Sequence, residues 1–247
     1  MTPAIDVQNV SVRFLKDPLR QHTLKHFLAS RRSGGRGRLF TALDRVTVRI
    51  EPGEIVGIVG RNGSGKSTLL RVMSGILPPV EGRVAVGRRV TPLLELGIGF
   101  HPDLSGRENC YVSGALLGLP PAAVARKLDA ILAFSELAAF IDEPVRNYSS
   151  GMYARLAFAL AMEVEPELLL LDEILGVGDE FFLRKCLFRM QQLIRSGVTT
   201  VLVSHNLDYL VAQCSRLIWL DEGRVAADGA PGEVAAAYRS REGHRPT

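Results

Sequence analysis

The sequence lacks the features of several large protein classes. It has no apolar run of 18 residues, and its 24 glycines and 13 prolines are spread along 247 positions, which excludes membrane-spanning and collagen-like chains. It has only three cysteines, Cys110, Cys186 and Cys214, and no Cys-x-x-Cys pair. A disulfide framework and a zinc site are therefore disfavoured, and we expect ordinary half-buried thiols of a reducing compartment.

The N-terminus has no basic stretch followed by an apolar core and a small-residue cleavage site. We therefore expect no secretory signal and a chain that stays in the cytosol. With 47% hydrophobic and 23% charged residues, the composition is typical of one globular domain and excludes general disorder.

Positive charge is concentrated in one segment. Residues 16–40 contain seven lysines and arginines and one acidic residue, Asp17, so the charge of this segment is +6. The net charge of the whole chain is +4, which leaves −2 for the remaining residues. Leu24, Phe27 and Leu28 share one helical face, which predicts a short basic amphipathic helix followed by a flexible loop at 33–37. The segment indicates either contact with one anionic surface, a membrane leaflet or a polyanion, or a solvated basic loop.

Two kinds of strand are predicted. Alternation at 5–14 and at 46–50 predicts antiparallel edge strands, whereas continuous apolar runs at 55–59, 168–171 and 199–203 predict strands buried on both faces of a parallel sheet. Polar residues follow each buried run. Because ligands collect at the carboxyl ends of parallel strands, these polar residues should meet at one sheet edge.

The region between the first two buried strands has helical spacing. Apolar residues predict helices at 122–134, 136–141 and 151–163. We expect an α/β fold with a parallel central sheet, N-terminal antiparallel strands and an inserted helical lobe. The expected division is one domain over 1–247, with a core of about 1–95 and 164–247, a lobe of about 96–163 and a basic insertion at 16–40.

Residues 60–67 fit the phosphate-loop pattern G-x-x-x-x-G-K-S, between a predicted strand and a helix predicted at 68–74. In such a loop glycine amides surround the β-phosphate, Lys66 reaches the β- and γ-oxygens, and the Ser67 hydroxyl can bind Mg²⁺. The candidate nucleotide-binding residues are Gly60, Arg61, Asn62, Gly63, Ser64, Gly65, Lys66, Ser67 and Thr68.

Further candidates follow the other two buried strands. Asp172 could hold Mg²⁺, Glu173 could orient the attacking water, and His205 could contact a γ-phosphate. Ser149, Ser150 and Gly151 begin a predicted helix and could bind an anion through free N–H groups, or simply cap that helix.

These residues, in this order and with Asp179 six positions after Glu173, resemble an ATP-binding cassette ATPase. The chain is more specifically similar to the nucleotide-binding subunits of bacterial polysaccharide exporters, which serve O-antigen, capsule or teichoic-acid export. The similar motifs are LLELGIGFHP at 93–102, GREN at 106–109, SSGMYARLAF at 149–158, VGD at 177–179 and VSHN at 203–206.

The resemblance implies ATP and Mg²⁺ as ligands and two copies paired head to tail, each ATP lying between one phosphate loop and the facing signature loop at 149–151. It implies that Glu173 is the catalytic base and that His205 is the switch histidine. Ser149 and Gly151 would then contact the γ-phosphate of the facing copy, and Asp179 would cross the dimer seam.

Three positions depart from the common cassette pattern. Met152 stands where a glutamine is usual, as in the polysaccharide exporters, and Glu95 is the nearest candidate for the glutamine that couples to Mg²⁺. Phe14 is the first choice for the aromatic ring that stacks on adenine, with Phe40 as the alternative.

The resemblance also implies a separate multi-span membrane partner, a polysaccharide or lipid-linked glycan as the transported substrate, and a location at the cytoplasmic face of the membrane. Nucleic acid is not expected, because the chain has neither the coiled-coil insertion of repair cassettes nor the second cassette of translation factors. A lone P-loop kinase or GTPase would have no use for the signature loop or His205.

Overall fold

The computed structural model of the chain describes residues 2–16, 38–88, 90–93, 97–164, 166–172 and 179–243. The basic helix and loop predicted within 17–37 lie outside the described residues. The strands are β1 (Ile5–Lys16), β2 (Arg38–Ile50), β3 (Ile55–Val59), β4 (Glu81–Val86), β5 (Val90–Leu93), β6 (Leu168–Asp172), β7 (Thr199–Val203), β8 (Arg216–Asp221) and β9 (Arg224–Gly229). The helices are α1 (Lys66–Met73), α2 (Gly106–Leu116), α3 (Pro121–Ser135), α4 (Ser150–Glu163), α5 (Glu180–Arg195), α6 (Leu207–Gln213) and α7 (Pro231–Gly243).

The N-terminal strands form an antiparallel sheet of three strands in the order β2-β1-β4. The antiparallel pairing is as predicted, with Ile5 opposite Ile50 and Phe14 opposite Phe40. The prediction of two edge strands was wrong for β1, because β4 pairs with its other side. β4 has an exposed pattern that gives no continuous apolar signal, so the sequence did not indicate this third strand.

The central sheet has six strands in the order β5-β6-β7-β3-β8-β9. All neighbours are parallel except β8 and β9, which form an antiparallel pair. This confirms the predicted α/β class and explains the continuous apolar runs. One sheet face packs on α1 and the three-stranded sheet, and the opposite face packs on α4, α5, α6 and α7.

The helices α2, α3 and α4 lie between β5 and β6 in the chain and share a separate apolar core. The helix predicted at 136–141 was wrong. Glu136 ends α3 in the left-handed conformation, with φ of 62°, and only a 3₁₀ turn at Ala138–Phe140 follows. The domain boundaries proposed above stay predictions.

The three thiols are buried, in contrast to the half-buried positions expected. Cys110 and Cys186 lie on the inward faces of α2 and α5, and Cys214 ends α6. Within the described ranges, no helix combines the length and apolar character needed to cross a bilayer.

Candidate functional site

The loop at 60–67 joins the end of β3 to the start of α1 and has the backbone of a phosphate loop. Gly60, Gly63 and Gly65 all have positive φ, of 155°, 79° and 104°. At Gly65 an added Cβ would lie 2.6 Å from the Ala42 carbonyl oxygen and 2.8 Å from a Leu43 methyl carbon, so glycine is required by packing as well as by conformation.

The N-terminus of α1 has free anion-binding capacity. Its N-cap, Gly65, supplies no side-chain hydrogen bond, and its first turn contains no acidic residue. The first N–H groups of a helix have no partner within the helix and carry positive potential. The Lys66 ammonium adds a full charge. It is 7% exposed and donates to the carbonyls of Gly60 and Arg61 at 2.7 and 2.9 Å, so it lies over the loop.

The ends of β6 and β7 face this loop across one cleft. Asp172, the last residue of β6, lies opposite Val203 in the sheet register and is half-buried. His205 follows β7 by two residues and is exposed. The residues lining the cleft are Phe14, Phe40, Ala42, Asn62, Gly63, Gly65, Lys66, Ser67, Thr68, Asp172, Val203 and His205. The structure therefore brings together candidates from three distant parts of the sequence.

The cleft has an aromatic end. Phe14 and Phe40 are direct partners across β1 and β2, are 42% and 48% exposed, and both line the cleft. Large aromatic side chains usually bury most of their area, so an exposed aromatic pair beside a cleft is suited to stacking on a planar ligand. The strand pairing presents both rings to the cleft.

Three other residues of the loop, Arg61, Asn62 and Ser64, differ from one another in their exposure and in whether they line the cleft. Ser64 is buried, its N–H donates to the Arg61 carbonyl at 3.1 Å, and its hydroxyl has no hydrogen-bond partner among the described residues. The Arg61 and Asn62 residues are exposed, and only Asn62 is among the cleft-lining residues.

The cleft is small for a site that acts alone. Its volume is about 220 Å³, below the range of roughly 300–1,000 Å³ for pockets that enclose most of a small ligand. The candidates Ser149, Ser150 and Gly151 are not among its lining residues. They begin α4 in the helical region, where the Ser149 hydroxyl accepts the Met152 N–H at 3.1 Å.

Asp179 is the N-cap of α5 and is bound within its own chain. One carboxylate oxygen accepts the Phe182 N–H at 2.9 Å, and the other accepts from Arg155 of α4. Both contacts lower the pKa of Asp179, with the Phe182 N–H as the larger cause. Glu136 binds the same Arg155 at 3.0 Å and the Lys185 ammonium at 3.1 Å.

These ion pairs join α4 of the helical region to α5, which packs on the central sheet. The Arg155 guanidinium also lies over the Phe182 ring, 5.0 Å from its centroid, and its pKa is raised by Asp179. The sequence predicts no role for Arg155, because its contact with Asp179 crosses 24 residues and depends on how α4 packs against α5. Glu173 and Glu95 lie outside the described residues.

A profile of the ABC transporter family matches residues 43–176, more than half of the chain. The chain belongs to the ABC transporter family. This ABC protein is 47% identical to the O-antigen export system ATP-binding protein RfbB of Myxococcus xanthus, over 96% of the chain and 55% of that relative. It is 42% identical to an RfbB protein of Klebsiella pneumoniae, over 83% of each chain.

A third relative of this ABC protein is the teichoic acids export ATP-binding protein TagH of Listeria monocytogenes, 38% identical over 81% of the chain and 59% of the relative. The predicted resemblance to the ATP-binding subunits of polysaccharide exporters is confirmed by these relatives. The chain spans little more than half the length of the Myxococcus relative and just over four fifths of the Klebsiella relative.

Solved structures share the fold of this ABC protein. An ATP-binding subunit of an ABC transporter aligns with a TM-score of 0.73 at 22% identity, covering 97% of this chain and 95% of the other. A dimeric ATP-binding cassette in a post-hydrolysis state with ADP and Pi aligns with a TM-score of 0.70 at 21% identity, covering 92% and 98%. The ABC ATPase cassette fold is therefore established.

Proposed function

We propose that the chain is an ATP-binding and ATP-hydrolysing subunit that powers export of a polysaccharide or lipid-linked glycan across the cytoplasmic membrane. The proposal is carried by the cleft in which Lys66, Asp172 and His205 meet beside an aromatic pair. It is supported by relatives named for O-antigen and for teichoic-acid export. Because both kinds of glycan appear among the relatives, the glycan is proposed only as a class.

ATP is proposed to bind in the cleft through its phosphates and its base. The N–H groups of Gly63 and Gly65, the first turn of α1 and the Lys66 ammonium all supply positive potential for phosphate oxygens. The adenine ring would stack on Phe14 or Phe40, which line the same cleft as Lys66.

The oxygen ligands for Mg²⁺ are present on the same cleft. The Ser67 hydroxyl and the Asp172 carboxylate both line it, and hard oxygen ligands suit this ion. Within the described ranges no group of three or more acidic, histidine or cysteine side chains forms a cage. Mg²⁺ usually uses one or two protein ligands together with substrate phosphates, so the donor set fits, and Glu95 is proposed as a further ligand. When bound, Mg²⁺ would neutralise phosphate charge.

Hydrolysis needs a water molecule oriented for attack and groups that stabilise the negative charge of the transferred phosphate. Glu173, next to Asp172 in sequence, is proposed as the base that accepts the proton of the attacking water. His205, at the end of β7, is proposed to contact the γ-phosphate that leaves. Lys66 stays in place to stabilise the negative charge of the transferred group, which is the main protein contribution in phosphoryl transfer.

Two copies are proposed to complete the site. The start of α4 is not among the residues that line the cleft of one chain, and it offers a second helix N-terminus. A head-to-tail pair would set Ser149 and Gly151 of one copy on the γ-phosphate held by the other. Asp179 would approach the seam with its carboxylate already oriented by Arg155.

The membrane partner is proposed to be a separate multi-span protein, with this chain at the cytoplasmic face. The basic insertion at 16–40 would lie against anionic headgroups, where each lysine or arginine adds roughly 1 kcal/mol near the surface. Neutralising Lys25, Arg31 and Arg32 should then weaken binding to anionic liposomes. Unchanged binding would contradict the contact.

The central test compares two variants that act on different steps. Glu173→Gln should bind ATP and self-associate but hydrolyse very slowly, because it lacks the base. Lys66→Ala should lose nucleotide binding, and it should therefore lose both ATP hydrolysis and self-association. Turnover is measured by phosphate release and association by light scattering. Near-normal turnover of Lys66→Ala would refute the assigned site, and near-normal turnover of Glu173→Gln would require another base.

A further inference from the structure

Tyr153 connects the turn at 97–100 to the start of α4. Its hydroxyl donates to the Gly97 carbonyl at 3.2 Å, and its ring meets Phe100 edge to face with centroids 5.1 Å apart. Its own N–H donates to the Ser149 carbonyl at 2.9 Å. One residue therefore joins the turn at 97–100 to the first turn of α4, where the signature loop lies.

The turn is shaped to receive this side chain. Gly97 has a φ of +77°, and a Cβ added there would lie 2.6 Å from carbons of the Tyr153 ring. The Gly97 carbonyl also accepts the Phe100 N–H at 2.9 Å, which closes the turn. Glycine at 97 thus serves both the backbone conformation and the close approach of the ring.

The residues after the turn are fixed from the other side. Asn109 of α2 is fully buried, and its amide accepts the His101 N–H at 2.6 Å and donates to the His101 and Leu104 carbonyls at 3.0 Å each. The segment that leads into α2 is therefore anchored, and Tyr153 of α4 contacts it through Gly97 and Phe100.

Tyr153 remains a hydrogen-bond donor at neutral pH. Burial raises the pKa of its hydroxyl above the usual value of 10.0, so the proton stays in place. The half-buried position also limits competition from water for the Gly97 carbonyl.

We propose that Tyr153 is a positioning residue for the ATP-dependent association of two copies. It holds the start of α4 in a preset orientation, so that Ser149 and Gly151 meet the facing nucleotide without first being ordered. Preordering of a contact surface strengthens association by lowering its entropic cost. The inference rests on the proposed function.

The test uses the full chain with Glu173→Gln, which keeps ATP bound. Tyr153→Phe removes the bond to Gly97 and keeps the ring on Phe100. A single hydrogen bond of this kind corresponds to roughly a three- to tenfold change in an equilibrium constant. We expect ATP-driven self-association, measured by light scattering across protein concentration, to weaken by about that factor. The ADP affinity of the monomer should stay close to the parent value, and the melting temperature should fall by about 1–6 °C, the loss expected for one hydrogen bond in a chain of this size.

Tyr238→Phe is the matched control, since it removes a tyrosine hydroxyl bond to Glu242 at 2.8 Å in α7 and should leave association unchanged. Gly97→Ala crowds the Tyr153 ring from the opposite side and should weaken association at least as much as Tyr153→Phe. Association constants equal to the parent in both Tyr153→Phe and Gly97→Ala would overturn the inference while leaving the proposed function intact. A parent that fails to self-associate with ATP would instead refute the proposed function, and the inference with it.

Discussion

Replacing Gly65 by alanine tests whether the phosphate loop is held by the packing seen in the structure. The residue has a φ of +104°, and its new Cβ would meet the Ala42 carbonyl oxygen at 2.6 Å and a Leu43 methyl at 2.8 Å. Strained backbone costs about 1–3 kcal/mol, and overpacking of a tight site adds about 1–3 kcal/mol. Gly197→Ala is the control, because Gly197 has a φ of +84° and nothing within 4 Å of its Cβ.

Both alanine variants have the strained backbone, but only Gly65→Ala has the steric clash with Ala42 and Leu43. Gly65→Ala should therefore lose about 1–3 kcal/mol more free energy of unfolding than Gly197→Ala, which lowers the melting temperature by roughly a further 2–10 °C in a chain of this size. Calorimetry measures both melting temperatures, and titration with ATP measures binding. Gly65→Ala should also lose nucleotide binding, which Gly197→Ala should keep. Equal melting temperatures, or normal ATP binding by Gly65→Ala, would refute the reasoning.

Two other properties follow from burial and charge. Burial raises the pKa of the Cys110, Cys186 and Cys214 thiols to about 12, so a thiol reagent at pH 8 should react with none of them in the native protein and with all three after denaturation; rapid native labelling would contradict their positions. The Lys185 and Arg155 contacts lower the pKa of Glu136 below its ordinary 4.5, so the ion pairs stabilise the fold above that pH and are lost as the pH falls through the folded-state pKa. Glu136→Gln should accordingly be less stable than the parent at pH 7, with the difference in melting temperature shrinking below pH 4.5; a difference independent of pH would show that the charge plays no part.

The strands of the central sheet could be predicted because their burial on both faces leaves a direct trace in the sequence. Continuous apolar runs at 55–59 and 199–203 became β3 and β7, and the glycine loop between β3 and α1 had an unambiguous pattern. The polar residues that follow these strands meet in one cleft because the strands are parallel. Local periodicity and strand direction were sufficient for this part of the site.

Other features depend on packing between distant elements and leave no local trace. Apolar spacing at 136–141 indicated a helix, but the left-handed Glu136 ends α3 there and directs its carboxylate to Arg155 and Lys185. β1 was expected at an edge because the exposed β4 could not be recognised as its partner. The Tyr153 and Gly97 contact joins residues 56 positions apart, and its existence depends on how α4 packs beside the turn.

The most direct test of a site shared between two copies is complementation by mixing. Lys66→Ala lacks a working phosphate loop. Gly151→Asp places a negative charge in the first turn of α4, where it stabilises the helix N-terminus and repels a facing phosphate. Each variant alone should be inactive. A mixture of equal amounts can form pairs with one intact site, from the phosphate loop of one copy and the signature loop of the other, and should show clearly more ATPase activity than either variant alone. A mixture no more active than its separate components would contradict the account.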